Sequence, residues 1–478
     1  MKKLISHINP ANTWKVLGLI FIVKTLIFIF FNAEFQDNWD KNMLSGNLAV
    51  TTGDTRSYYR ASENFAEQGV YNSNCRMPGV TPIYAPLHWL FGADMAKDAI
   101  VILQLIISII SVLVLGKLAW KWTGSRVVFF LTIVLYTLST FVSIWDHFLM
   151  ADSFSTSFFI FSVYYLWKGL KNYNWYFVLL SGFFLAWAVF FRQILLVVYP
   201  IIALLILIEN YRTWKTMIIN GILFILPLIV SIGLWVNYQN RHLESSYFLV
   251  RPVNECYATY TPEFQGLSSF LIHLGYGEPF WEKGSVVKWM MVYNEKDAVP
   301  PISDRHFNSE MNLDSLKVLR DEYHLFQQED NEVIKESIGT SLLDRIDRYE
   351  TAYKSHNKLG YYLLNRLRLF RLFVVPLQVD NLPLPALHNM SFIEKATKLF
   401  YLVLFTLVAL VGLLAVIQDM FFVKSNYRWW WLVPISVLVT LSLILGFVEQ
   451  RYFVPIYPFL LIGLSIFVAR FFKKFDHQ

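Results

Sequence analysis

Several chemistries are excluded by what the sequence does not contain. It has no HExxH and no paired CxxC spacing, so no metal-binding motif is recognisable. It has neither a phosphate-binding P-loop nor a GxSxG elbow, which argues against ATP hydrolysis on this chain. No small-residue cleavage site follows the first apolar stretch, about Trp14 to Phe31, so that stretch reads as a retained span rather than a signal peptide, although Lys15 and Lys24 interrupt it. No inverted internal repeat of the kind that marks many secondary transporters is visible. Cysteine is almost absent: Cys75 and Cys256 are the two. A disulfide between the segments that carry them is one reading, and two unpaired thiols are the other.

What is present is apolar. With 55% hydrophobic residues, 17% aromatic residues and a mean hydropathy of +0.43, the 478-residue chain carries more apolar surface than a soluble core buries, so lipid has to cover much of it. The net charge of +6 does not indicate nucleic acid, because Lys and Arg fall in short clusters between apolar stretches, as in cytoplasmic loops.

Stretches long enough to cross a bilayer fall near 13–31, 97–119, 126–145, 151–168, 174–191, 193–209, 215–236, 395–423, 429–447 and 452–470. The expected fold class is an all-α polytopic membrane protein of about ten transmembrane helices, with a helical extracytoplasmic first loop and a larger second outer subdomain. The connections WKWTGSR, KGLKNYN, ENYRTWK, KSNYR and FKKFDHQ carry the positive charge and share a side with the amino terminus, which predicts that both termini are cytoplasmic. Three parts follow: a membrane module over 1–236 with its outer loop at 32–96, an extracytoplasmic helical segment over 237–394, and the last spans over 395–478. Within the second part, 303–356 is polar with helical spacing. The stretch YYLLNRLRLFRLFVVP, with Arg366, Arg368 and Arg371, reads as an interfacial amphipathic helix, either a plain anchor or a guide for an anionic lipid.

Charged residues at the outer ends of spans carry the candidate chemistry. Asp54 opens an amphipathic helix in GDTRSYYRASENFAEQGVY, as a functional carboxylate or a helix cap. Asp152 enters the fourth span in MADSFS, and an acid there needs an aqueous cavity or a partner, unless it too serves only as a cap. Arg76, Arg192 in FFRQ and Arg451 in EQRYF suit an anionic leaving group, because a guanidinium keeps its proton and holds phosphate in a planar fork. Snorkelling is the alternative for Arg192, and a structural pair with Glu449 for Arg451. Tyr58, Tyr59, Tyr84 and His88 supply rings that either bind a sugar or belong to the interfacial aromatic belt.

These residues, with CRMPGVTPIYAPLHWLFG downstream of Asp54 and EQRYFVPIYPFLL before the last span, resemble the GT-C superfamily of polytopic glycosyltransferases. The bacterial dolichyl-phosphate-mannose protein mannosyltransferase and aminoarabinose transferase relatives are the nearest in pattern. The resemblance implies a catalytic acid in the first outer loop, at Asp54 here. Thr55 stands where a second acid is common, and Asp152 matches an acidic position at a later span edge. It also implies a polyprenyl-phosphate sugar donor, a glycan, lipid or protein acceptor, and a bacterial inner membrane with the active site on the outer side.

The expectation is a membrane glycosyltransferase working with inversion, with Asp54 as base and the arginines on the departing phosphate. The sequence points to no particular cofactor, and a divalent cation is the one candidate. A transporter or flippase for a lipid-linked or polar solute is the reading from another class, and a polysaccharide polymerase or ligase is a further enzymatic one.

Overall fold

The computed structural model describes residues 13–38, 40, 43–73, 75–211, 213–244, 246–256, 260–278, 284–292, 299–375, 382–384, 389–445 and 449–475. Residues 476–478 of the FKKFDHQ segment lie outside the described residues, as do 446 and 447 of the ninth expected span. The chain is an all-α membrane protein. Among the described residues, five helices are long and apolar enough to cross a membrane: Thr13–Asn38, Ala93–Thr123, Gln193–Asn210, Trp214–His242 and Phe392–Phe421. Arg126–Thr137 and Thr140–Asp146, bent by 51°, make a sixth if they form one span. Trp175–Phe191, Arg428–Ile444 and Tyr457–Phe472 are shorter apolar helices, and Asp152–Asn172 completes helices at all ten expected places.

Two compact units are present. The first comprises 1–250, 378–438 and 453–478. Its early elements are α1 (Thr13–Asn38), a hairpin of β1 (Leu44–Ser45) and β2 (Ala49–Val50), α2 (Thr55–Gln68) and α3 (Thr81–Phe91). Next come α4 (Ala93–Thr123), α5 (Arg126–Thr137), α6 (Asp152–Asn172), α7 (Trp175–Phe191), α8 (Val198–Asn210) and α9 (Trp214–His242). The peripheral helices bury one stripe only. In α1 this is Ile20, Lys24, Phe28, Phe31 and Phe35, spaced by three or four residues, while Leu19, Ile22, Leu26 and Ile29 are exposed, the pattern of a helix with one protein face and one lipid face.

By contrast, α6 is enclosed along its first three turns, where Ser153, Ser155, Thr156 and Ser157 are all buried. Small polar residues let helix backbones approach and bond across the gap: Ser181 of α7 donates to the Ser162 carbonyl at 2.8 Å, and their hydroxyls lie 3.1 Å apart. Gly182 of α7 faces the Phe224 carbonyl of α9 so closely that a Cβ would sit 2.2 Å from the oxygen, so only glycine fits. The sequence marks α6 as a span by its aromatic residues; its central position is what relieves it of any lipid face.

The second unit comprises 251–377 and 439–452. Its helices are α10 (Pro262–His273), α11 (Leu313–Gln328), α12 (Glu332–His356) and α13 (Asn365–Val374). The first three have side-chain caps that satisfy otherwise open amides: Thr261 for Phe264, Asn312 for Ser315, and Asn331 for Val333 and Ile334. Leu267, Phe270, Leu316, Leu319, Leu342 and Ile346 meet in their core. The polar stretch 303–356 is thus helical as expected, in α11 and α12. The arginine-rich segment runs through a π-turn, Gly360–Leu364, into α13. Leu363, Leu364 and Leu367 are exposed, whereas Arg368 lies over the Tyr276 ring at 4.7 Å instead of pointing away from the unit. Both Cys75 and Cys256 are disulfide-bonded.

Candidate functional site

The two acidic signatures are brought side by side by backbone pairing. After β2, Val50 forms a parallel bridge with Phe148: the Val50 amide donates to the His147 carbonyl at 3.0 Å, and the Leu149 amide donates to the Val50 carbonyl at 2.9 Å. Thr52 adds a contact from its hydroxyl to the Met150 sulfur at 3.4 Å. Asp54 and Asp152 each follow the bridge by the same number of residues, so their helices, α2 and α6, start from one shared strip of backbone.

Asp54 is half-buried at the start of α2, and its side chain does not cap the helix. Around it the Thr52 amide donates to Thr55 Oγ1 at 2.8 Å, and the Ser57 hydroxyl donates to the Asp54 carbonyl at 2.7 Å. The cap alternative for Asp54 is therefore removed by geometry. Asp152, in the first turn of α6, is buried and accepts at both oxygens from a single nitrogen, Nη2, of Arg192, the residue that ends α7. A buried carboxylate needs such a partner, because leaving either ion alone in this environment costs about 3–5 kcal/mol. Arg192, 5% exposed, does not snorkel.

Tyr58 connects this pair to the first loop. Its ring, buried on α2, has the Arg76 guanidinium at 4.5 Å and the Arg192 guanidinium at 5.9 Å. Both cations use the electron-rich face of one phenol. Arg76 also donates from Nε to the Ser57 hydroxyl at 3.2 Å. Its loop is held by Tyr71, whose hydroxyl donates to the Arg76 carbonyl at 3.0 Å and whose amide donates to Tyr238 of α9 at 2.7 Å. Gly79 presses that loop against the end of α7: a Cβ there would lie 2.6 Å from the Phe190 carbonyl, and Trp187 donates its indole N–H to the Gly79 carbonyl at 3.0 Å.

Tyr59 and Tyr84 pack edge to face at 5.9 Å, and the Tyr84 hydroxyl lies 3.3 Å from His88 Nδ1. Tyr84 is fully enclosed, and His88 is half-buried. Seven of the eight first-unit candidates, Asp54, Asp152, Arg192, Arg76, Tyr58, Tyr59 and Tyr84, share α2 and what packs on it or bridges to it, and His88 follows one turn behind Tyr84. Arg451 belongs to the second unit and pairs with Glu449, the structural alternative for it.

Pattern reasoning missed the support beneath Asp152. Lys24, wholly enclosed in α1, donates to Asp146 at 3.0 Å and to Ser108 at 2.5 Å, and Ser153 donates to the other Asp146 oxygen at 2.6 Å. Gln104 holds the same turn through the carbonyls of Trp145, Asp146 and Phe148. The available signal was Lys24 itself, since a cation inside an apolar span calls for an acid on a neighbour.

Beside the Arg76–Tyr58–Arg192 array lies an apolar groove of about 510 Å³, walled by Phe65 of α2, Pro78 and Gly79, Trp187 and Phe190 of α7, and Trp235 of α9. Among the described residues, no group of three or more His, Cys, Asp or Glu side chains is placed to hold a metal ion.

Residues from Pro78 to Trp235 match the family described as dolichyl-phosphate-mannose-protein mannosyltransferase. The family segment is about a third of the chain and contains Asp152, Arg192, Tyr84 and His88, while Asp54, Tyr58, Tyr59 and Arg76 precede it and Arg451 follows it. The proteins of that family are membrane glycosyltransferases, and the likeness of this chain to them is confined to the matched residues. No curated protein matches the chain.

Proposed function

We propose that the protein transfers a sugar from a polyprenyl-phosphate donor to an acceptor on the extracytoplasmic face of a bacterial inner membrane, with inversion and with both termini cytoplasmic. The observation that carries this reading is the placing of two arginines on one buried tyrosine, a few residues from Asp54, on the helix whose Phe65 walls an apolar groove. An isoprenoid tail suits the groove, whose walls are mostly aromatic and aliphatic, and its phosphate suits the guanidinium forks. The oxidised state of Cys75 and Cys256 supports an outer, oxidising location for the segments that carry them.

In the reaction, Asp54 accepts the proton of an acceptor hydroxyl or amine as that atom forms its bond to the anomeric carbon. The bond from this carbon to the phosphate oxygen breaks, and polyprenyl phosphate leaves with the electron pair. Arg76 and Arg192 stabilise the charge gathered on the phosphate, which acts more on the transition state than on the ground state. Asp152 orients Arg192 by holding its Nη2 with both carboxylate oxygens and is a positioning residue. A single displacement from the face opposite the phosphate inverts the anomeric centre. Tyr58 holds the cations, and Tyr59, Tyr84 and His88 shape the sugar side.

A transporter reading would rest on the Lys24–Asp146 pair. Both residues are enclosed and satisfied by protein groups that hold the turn before Asp152, which fits a structural support better than a moving charge. The test uses purified protein in vesicles with a radiolabelled polyprenyl-phosphate monosaccharide and an acceptor extract. Wild type should form labelled product, and Asp54→Asn, inserted normally, should lose at least about a hundredfold in rate. A variant as active as wild type removes Asp54 from the role of base; label that crosses the bilayer chemically unchanged restores the transporter.

A further inference from the structure

The helix α2 separates two cavities of opposite character. One face turns Tyr58 and Phe65 toward the cations and the apolar groove; the other turns Thr55, Arg56, Tyr59, Arg60 and Glu63 into a second cavity of about 470 Å³. The far walls of this cavity come from the β1–β2 hairpin, from Lys97 of α4 and from Leu149 beside the Val50–Phe148 bridge. It is a built feature: Asp98 pins the hairpin by accepting from the Asn47 amide at 3.1 Å and the Leu48 amide at 2.9 Å, and the Thr51 hydroxyl bonds the Met43 carbonyl at 2.9 Å.

Its charge is unbalanced. Lys97 is paired with Glu63 at 3.1 Å, whereas Arg56 and Arg60, one turn apart on the same face, have no ion pair among the described residues. At its wall the Tyr59 hydroxyl is enclosed, the residue being 2% exposed, and has no hydrogen-bond partner among the described residues. A buried donor without an acceptor is costly, and native proteins keep few of them. Burial raises the Tyr59 pKa above its ordinary value, so the phenol keeps its proton and remains a donor. Thr52 and Thr55, on either side of the Asp54 turn, also line this cavity.

We propose that this second cavity is the acceptor site and that it recognises a saccharide bearing a phosphate monoester. Two adjacent guanidinium groups match a dianionic oxyanion, the Tyr59 hydroxyl donates to the bound sugar, and the rim formed by Thr52 and Thr55 presents a sugar hydroxyl to Asp54. The proposal rests on the transferase reading for its functional meaning. It adds the acceptor's charge class and assigns Arg56, Arg60 and Tyr59 to acceptor binding.

Binding of glucose 6-phosphate, glucuronate and glucose to the full-length protein in nanodiscs, measured by calorimetry, tests it. Glucose 6-phosphate should bind at least about tenfold more tightly than glucose, with glucuronate between them, and the preference should vanish in Arg56→Gln/Arg60→Gln and persist in Arg56→Lys/Arg60→Lys. Tyr59→Phe should weaken glucose 6-phosphate binding by about fivefold, the value of one lost hydrogen bond. Equal binding of glucose and glucose 6-phosphate, or a preference untouched by the double glutamine variant, overturns the site; glucuronate binding as tightly as glucose 6-phosphate overturns the phosphate assignment. Donor turnover is a separate readout, so a protein that binds phosphate as expected and never cleaves a polyprenyl-phosphate sugar overturns the transferase reading alone.

Discussion

Val50 and Phe148 pair as a parallel β-bridge, and the chain reaches Asp54 from the first and Asp152 from the second after equal numbers of residues. Two segments nearly a hundred positions apart thereby start their helices at one level. This pairing belongs to no sheet beyond the two-stranded hairpin, and its value lies in register: sliding either segment by one residue would turn its side chains to the opposite face.

The Asp152–Arg192 pair should be more valuable intact than either member is alone. Arg192→Met should lower stability by about 3–5 kcal/mol, since it strands a buried carboxylate, and adding Asp152→Asn should restore a large part of the loss. Thermal denaturation of the single and double variants in detergent gives the coupling energy. Additive losses would show that the two side chains do not act as a pair.

Tyr58 should be replaceable by phenylalanine and not by leucine. Tyr58→Phe keeps the ring face that the two guanidinium groups share, so donor KM should change by about twofold at most; Tyr58→Leu removes a contribution of about 0.5–2 kcal/mol and should raise KM by roughly threefold to thirtyfold. Kinetics against a short-chain polyprenyl-phosphate sugar would read this. Equal behaviour of the two variants would remove the ring from the argument.

Gly79 tests how closely the loop must approach α7. In Gly79→Ala the new methyl meets the Phe190 carbonyl at 2.6 Å, and the loop must shift, at about 1–3 kcal/mol. Because the Trp187 indole bond to Gly79 moves with it, tryptophan fluorescence should change together with the melting temperature. An unaltered spectrum and melting curve would contradict the contact.

The second unit should weaken in acid through His306. Burial, with Arg305 and Arg368 nearby, lowers its pKa from 6.5 to about 3, so the folded unit keeps it neutral while the unfolded chain protonates it below pH 6.5. Stability contributed by this residue is complete above pH 6.5 and falls between pH 6.5 and about 3, by up to about 1.4 kcal/mol per pH unit. Hydrogen exchange in α12, where Tyr353 faces His306 Nδ1 at 3.3 Å, should report the loss. His306→Phe should flatten the dependence, and an unchanged slope in that variant would assign it to other groups.

Much of the fold was legible because membrane spans announce themselves locally. A run of apolar residues is sufficient warning that a segment needs lipid or a neighbour, and each of the ten such runs is helical. The polar helices α11 and α12 could be read from their spacing for the same local reason. Asp54 and Asp152 stood out because charge at a span's edge is costly, but their roles did not follow. Helix capping was a fair reading for both until the side chains were seen not to cap.

Partnership is where local information ended. That Lys24 meets Asp146, that Arg192 holds Asp152, and that Tyr58 lies against two cations all depend on segments distant in the chain. The same holds for α2, whose period placed an apolar stripe on one side without revealing that the other side closes a cationic cavity around an unsatisfied hydroxyl. Composition and periodicity determined that this chain lives in a membrane and where its helices run, because solvation acts on each residue separately. Tertiary packing alone decided which charges neutralise one another and which face a cavity, because those energies depend on pairs brought within a few ångströms.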